Sequence, residues 1–299
     1  MSSPVTRGQF AQLLAAGLFS VIYEDLQMHP EEYSGFFNVY STTKAYEEDQ
    51  LVAGLGAVPT KPEGEAIKLD SPIQGGSLRY QPISYGLGFQ VTREMWDDDQ
   101  YGIMRKVSQD FGGSIRQTVE SNAAAVLNNS FTTQNSIDGV SLINTAHPLL
   151  GGGTYSNASA TNVAFSTTGM QELIILFEKM VNERGLLKQM IPEEVWLSVD
   201  QQFKAGEILH SAYKPYTGNN EINVMQGRLQ PRINHFFSSS TAWWVAAAKS
   251  QQWLKHYWRV MPEFDSQDDF MTKGASYSVY FRNIDGVTYW HGLAGSPGQ

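Results

Sequence analysis

The chain has no cysteine, so disulfides and thiolate metal centres are excluded and a reducing compartment is permitted. It also lacks any apolar run near the roughly 20 residues that cross a bilayer, and no membrane association is expected. Arg7 followed by the apolar stretch from Phe10 to Tyr23 has the outline of a signal peptide. Gln12 interrupts that stretch, and Glu24, Asp25 and Glu31 follow without a small-residue cleavage site, so no signal peptide is expected. Positive charge is scarce as well: 21 Lys and Arg stand against 30 Asp and Glu, a net charge of −9. A protein that coats nucleic acid is normally basic, so the balance argues against direct, extensive phosphate contact. It does not exclude a container whose inner wall merely faces nucleic acid.

Catalytic signatures are missing too. There is no HExxH, GxSxG, GxxxxGK[ST] or GxGxxG, so neither a zinc site, a nucleophile elbow nor a phosphate cradle is marked. His147 lies beside Gly151, Gly152 and Gly153 and is the most tempting base, yet no nucleophile motif accompanies it. A loop histidine satisfying backbone groups is the expected role. Glu263, Asp265, Asp268 and Asp269 cluster in EFDSQDDF, but the spacing misses a calcium loop and its central glycine, which leaves a solvated turn. Trp243, Trp244, Trp253, Trp258 and Trp290 suggest a carbohydrate platform, and with it a binding protein or enzyme; Trp243 and Trp244 occupy an apolar run that favours core packing. Asp97, Asp98 and Asp99 complement a helix start and need no catalytic role. No enzyme chemistry, cofactor or metal is expected.

What the chain does have begins with a long periodic segment, Thr92 to Phe131. Ile103, Val107, Phe111, Ile115 and Val119 recur every four residues, and Ala123, Val126 and Leu127 continue the stripe. That spacing predicts one narrow apolar ridge on a helix of roughly 35 residues, a rod of about 50 Å. Gly112 and Gly113 interrupt it at a cost of about 1 kcal/mol each relative to Ala, which marks a candidate hinge.

Around this spine, 299 residues with 41% hydrophobic content suffice for one large domain or two smaller ones. Residues 5–27 read as an amphipathic helix bracketed by Pro4 and Pro30, expected to dock either on its own core or on a neighbouring subunit. From Ser34 to Gln90 the pattern turns to strands, with residues 78–92 alternating and Ala66 to Leu69 as a short partner. Gly54, Gly56, Pro59, Pro62, Gly64, Pro72, Gly75 and Gly76 turn the chain repeatedly there. A long hairpin with so little core of its own suits pairing with, or lying over, another chain. Ser136–Ala164 reads as loop with a short strand, and Thr168 to Arg184 as a helix stopped by Gly185. Glu194 to Val199 is a strand, Asp200 to Ser211 a helix capped by Asp200, and Val224 to Pro231 and Ile233 to Phe237 short strands. Ala242 to Ala248 reads as a buried strand, and His256 to Phe264 and Ala275 to Arg282 as a hairpin around an acidic turn. One more strand falls between Gly286 and Gly295.

This order resembles that of the major capsid (head) proteins of tailed bacteriophages, a fold also seen in encapsulin shells. The stretches that carry the resemblance are KAYEED at Lys44–Asp49, AGLG at Ala53–Gly56, PIQGGSLRY at Pro72–Tyr80 and YGLGFQVTREMWDDDQYGIM at Tyr85–Met104. DGVSLINTAHPLLGGGTYSN at Asp138–Asn157, INVMQGR at Ile222–Arg228 and RVMPEFDSQDDF at Arg259–Phe270 complete the set, which is collinear over nearly the whole chain.

The resemblance implies an α+β fold: an N-terminal arm (1–43), an extended loop lying over the neighbour (44–91) and a spine helix of a peripheral domain (92–136). It further implies an axial domain (137–250), a peripheral hairpin (251–282) and a C-terminal axial strand and tail (283–299). It implies hexamers and pentamers closing into an icosahedral shell around double-stranded DNA, held without sequence-specific binding. Scaffolding, portal and decoration proteins are the expected partners, and the expected location is the virion after assembly in the host cytoplasm. An encapsulin-like cargo compartment is the near alternative. Subunit-interface candidates are Glu47, Glu48, Asp49, Lys61, Lys68, Asp265, Asp268 and Asp269, and charge reversal at the first three is expected to impair assembly while leaving the subunit folded. Some members crosslink an extended-loop Lys to an Asn near the peripheral hairpin tip. Lys61 and Lys68 are available, but Ser266 to Gly274 holds no Asn, so a non-covalent shell is expected. The arm starts almost at Met1, which suggests scaffolding that is separate or dispensed with.

Overall fold

Pro82 divides the region that reads as one long strand. A proline offers no N–H to a ladder and restricts the residue before it, so the chain leaves one sheet at Tyr80 and enters another at Ile83. The computed structural model describes residues 22, 30–98, 102–214, 221–269, 271 and 274–299. Apart from Ile22, which is helical and fully buried, the helix expected over 5–27 lies outside them.

In chain order, a single turn α1 (Tyr33–Phe36) leads into β1 (Asn38–Ser41), β2 (Glu47–Ala53), β3 (Ile73–Tyr80) and β4 (Ile83–Val91). Helices α2 (Arg93–Asp97) and α3 (Ile103–Asn128) follow, then the two-residue strands β5 (His147–Pro148) and β6 (Thr154–Tyr155). Next come α4 (Thr167–Glu178), β7 (Pro192–Ser198), α5 (Gln202–His210), β8 (Gln230–Asn234) and β9 (Trp243–Ala247). The chain closes with β10 (Leu254–Asp268), β11 (Ala275–Val287) and β12 (Leu293–Ser296).

Two four-stranded sheets organise these elements. The first runs β1-β10-β11-β4, with β1 parallel to β10 and the rest antiparallel. Helix α3 lies against it through Phe111, whose ring meets Phe89 edge-on at 5.1 Å. The second runs β12-β9-β7-β8, with β7 and β8 parallel. The middle of its central strands is an apolar run, as strands covered on both faces require: Val195, Trp196, Leu197, Trp243, Trp244 and Val245 are all fully buried. Phe36 of α1 stacks edge-on against Trp196 at 5.0 Å, so a remote N-terminal segment completes the same core. The hairpin β2–β3 pairs only with itself.

Several expectations are corrected. The spine is not one rod from Thr92. Gly102 takes a left-handed φ of +67° and separates α2 from α3, whose 26 residues span about 39 Å. Its ridge is buried from Phe111 onward, whereas Ile103 is exposed. The strand partner of Ile73–Tyr80 is Glu47–Ala53; Ala66 to Leu69 are exposed coil. Helix α4 starts at Thr167, capped by Ser166, whose Oγ accepts from Gly169 N at 3.1 Å. It ends at Glu178 rather than Arg184, because Asn182 Oδ1 accepts from Arg184 N and Leu186 N and turns the chain there. Asp200 sits inside a 3-10 turn (Val199–Gln201) and does not cap α5. Residues 224–228 are turn, not strand, held by Asn223 Oδ1, which accepts from Met225 N, and β8 replaces the two short strands expected there. In the late hairpin β10 extends beyond its expected core at both ends, and β11 beyond its own at the C-terminal end.

Candidate assembly surface

Hairpin β2–β3 projects a coil, residues 54–72, that is exposed almost throughout. Val58 is 95% exposed, Leu69 90% and Ile67 74%. These apolar side chains are held away from the core of the subunit. Lys61 and Lys68 lie on the same coil, both exposed.

The base of this arm is anchored firmly. Asp49 forms an ion pair with Lys255 at the start of β10, and its Oδ2 also accepts from Thr288 Oγ1 at 2.5 Å. Thr288 in turn shares a 2.7 Å hydrogen bond with the Tyr80 hydroxyl, and burial pushes the Tyr80 phenol well above its usual range. Tyr289 donates to the Gln50 carbonyl at 2.9 Å. Glu47 accepts from Thr42 Oγ1 at 2.5 Å and pairs with Lys44 at 2.9 Å, and these bonds, that from Thr42 foremost, hold its carboxyl below the usual value. Glu48 faces outward and meets Arg79 at 3.4 Å, with the Arg79 guanidinium 4.0 Å from the Tyr46 ring centre.

A second grip closes the coil itself. Arg184 donates to the Gly54 carbonyl at 2.9 Å, the Ser71 carbonyl at 2.6 Å and Asp70 Oδ1 at 3.0 Å, so one guanidinium holds both ends of the excursion. Asp70 Oδ2 accepts from Gly56 N at 2.8 Å, and the bonds from the Gly56 and Ser71 amides lower the Asp70 carboxyl. Five donors converging in a fixed fork make arginine suited to this role.

The N-terminal segment is gripped through Glu120 of α3, which is buried. Its two oxygens accept from Glu32 N at 2.9 Å and Tyr33 N at 2.8 Å, while burial raises its carboxyl above the usual range. Arg184, Glu120, Lys255 and Thr288 were not legible as functional. The Asn-x-x-Gly turn around Arg184 is visible in sequence, but its partner lies 114 residues away.

The remaining candidates are scattered. Asp265, Asp268 and Asp269 lie at the exposed far end of β10, where Asp269 Oδ1 accepts from Met271 N at 2.8 Å. Neither they nor any others among the described residues form a set of three acidic or histidine side chains placed to hold a metal. Gly112 and Gly113 sit inside α3, which runs through them without interruption. His147 does not bind backbone groups as expected. It is fully buried, with Nδ1 2.6 Å from Asp138 Oδ2 and Nε2 3.0 Å from Asn157 Oδ1. Trp243, Trp244, Trp258 and Trp290 are buried in the core, and Trp253 alone of the five is exposed.

No curated protein sequence matches the chain at a significant level. Solved structures share its fold at low identity. The procapsid of bacteriophage JBD30 aligns with a TM-score of 0.53 and 15% identity over 98% of this chain and 76% of that one. The capsid of a native GTA particle gives 0.57 and 8%, covering 89% of each, and Mycobacterium phage Cain gives 0.52 and 12%, covering 99% of each. The model of a phage capsid protein family matches residues 75–293, so the chain belongs to that family and is a structural protein of a viral capsid.

Proposed function

We propose that this chain is the major shell subunit of a tailed-phage head, assembling as hexamers and pentamers into an icosahedral container for double-stranded DNA. The observation that carries this reading is the anchored arm. Its base is tied by Asp49, Lys255, Thr288 and Arg184, while Val58, Ile67 and Leu69 at its far end stand largely exposed. The coil at 54–72 then lies over a neighbouring copy, which supplies the missing cover. The sheet β1-β10-β11-β4 with α3 serves as the peripheral domain, and the tryptophan-rich sheet β12-β9-β7-β8 as the axial domain around capsomer centres. Net charge of −9 fits a wall that encloses DNA without gripping it. Scaffolding, portal and decoration proteins are the fitting partners, assembly takes place in the host cytoplasm, and the subunit does no chemistry.

Negative-stain microscopy of the expressed protein tests this reading directly. Regular faceted particles of megadalton mass are expected; a monomer under assembly-promoting conditions, by light scattering, would overturn it. The shell is non-covalent, so mature particles should dissociate fully on boiling in detergent. Gly112 and Gly113 act as a yielding point of α3 during rearrangement of the shell, and Ala at both positions should arrest that step; unchanged maturation retires the idea.

A further inference from the structure

Loop 136–158 contains a buried network whose hydrogen bonds count protons. Asn157, fully buried, donates through Nδ2 to the Leu142 carbonyl at 2.9 Å and the Leu293 carbonyl at 3.1 Å. Its Oδ1 accepts from Asn144 N at 2.8 Å. Three contacts therefore fix which end of the amide is oxygen, and that oxygen faces His147 Nε2 at 3.0 Å. Nε2 must carry a proton to make this bond. On the other side of the ring, Nδ1 lies 2.6 Å from Asp138 Oδ2. Asp138 Oδ1 already accepts from Ser136 Oγ and from Val140 N, the latter at 3.3 Å, as a carboxylate does. Against an ionised Asp138, Nδ1 donates as well.

We propose that Asp138, His147 and Asn157 form a proton-held lock, in which the His147 ring is doubly protonated inside the fold and its deprotonation releases Asn157 and with it strand β12. A ring that gives its second proton to solvent turns a lone pair toward either the Asn157 oxygen or the Asp138 carboxylate. The charged Asp138 carboxylate holds the remaining proton on Nδ1, so Nε2 then faces the Asn157 oxygen acceptor to acceptor. Relief requires the Asn157 amide to turn, which breaks its bond to Leu293 of β12. The Ala158–Gly295 bridge and the Gly295 N to Asn157 carbonyl bond, 3.0 Å, depend on the same residue.

Other charged groups face the network from each element packed on it. Trp290 stacks on His147 at 4.5 Å, and His291 stacks on Trp290 at 3.9 Å while its Nε2 donates to the Val181 carbonyl at 3.0 Å. Burial, followed by Lys188, holds His291 down at about 3, so it stays neutral and does not compete for the proton. From the turn after α4, burial raises the Glu183 carboxyl and lowers the Lys188 amine. Tyr155 stacks on the far side of Trp290 at 5.6 Å.

Asp138→Asn tests the lock because it removes the need for the extra proton. The amide oxygen can keep Ser136 and Val140 while its N–H donates to Nδ1 of a neutral ring. In the full-length subunit with ¹⁵N-labelled histidine, both His147 ring nitrogens should carry protons at pH 6. Between pH 6 and 9 the unfolding constant in urea should rise about tenfold more in the parent than in Asp138→Asn. A ring with one unprotonated nitrogen at pH 6 in the folded parent would overturn the lock, as would equal pH slopes in the two proteins. Should the variant fail to fold, the ring spectrum of the parent decides alone.

Discussion

In the sheet β12-β9-β7-β8, Trp196, Trp243 and Trp244 have no exposed surface, while in the coil carried by β2–β3 Val58 and Leu69 have almost nothing else. The sheet is stabilised by apolar area removed from water within one chain. Trp244 alone touches Phe131 and Phe237 and donates its Nε1–H to Ser130 Oγ at 3.0 Å. Gly295 is required beside it, since a Cβ there would come within 2.8 Å of the indole. The coil has no such filling, although Leu51, Ala53 and Tyr80 are buried at the base of the arm. The arm's direction is set by that base, its polar anchors and its Arg184 clasp, so the single chain specifies where the arm points and leaves its apolar end exposed.

Substitutions separate the two regions, beginning with the largest effect. Trp244→Ala should lower subunit stability by about 3–5 kcal/mol, as expected for emptying a fully packed aromatic site, and denaturant unfolding measures it. A loss below 1 kcal/mol would mean the sheet is not the structural centre. Asp49→Ala should cost about 1–3 kcal/mol by stranding Lys255 and Thr288, read from the same transition. This divides the expectation that charge reversal at Glu47, Glu48 and Asp49 affects assembly alone. Glu48 holds only an exposed pair with Arg79 and can act between subunits, whereas Asp49 and Glu47 are tied within their own. Arg184→Ala should shift stability by less than about 1 kcal/mol, because the clasp joins surface groups. Cleavage of residues 54–72 by a nonspecific protease should nevertheless accelerate in that variant, and an unchanged cleavage rate would show that the clasp does not restrain the coil.

Much of the strand and helix inventory was readable locally. The alternation and aromatic richness of Glu194–Val199 and Ala242–Ala248, and the four-residue ridge from Phe111 to Val119, placed core elements with neighbours only a few residues off. Errors fell where a long-range partner or a local polar bond outweighed periodicity. Asn182 ended α4 early, Gly102 cut the spine, and Pro82 sent the chain from one sheet to the other.

The sequence by itself determined the absence of thiol chemistry, the acidic balance, the apolar faces and the family, because each is a property of residue identity and spacing. Only the tertiary structure decided which carboxylates are occupied. Asp49, Asp138 and Glu120 look like any other acidic residue in the chain, yet their partners lie 206, 9 and 87 positions away, respectively Lys255, His147 and Tyr33. A side chain's charge is written in its own letter, but its desolvation and its hydrogen-bond partners come from segments that folding brings to it.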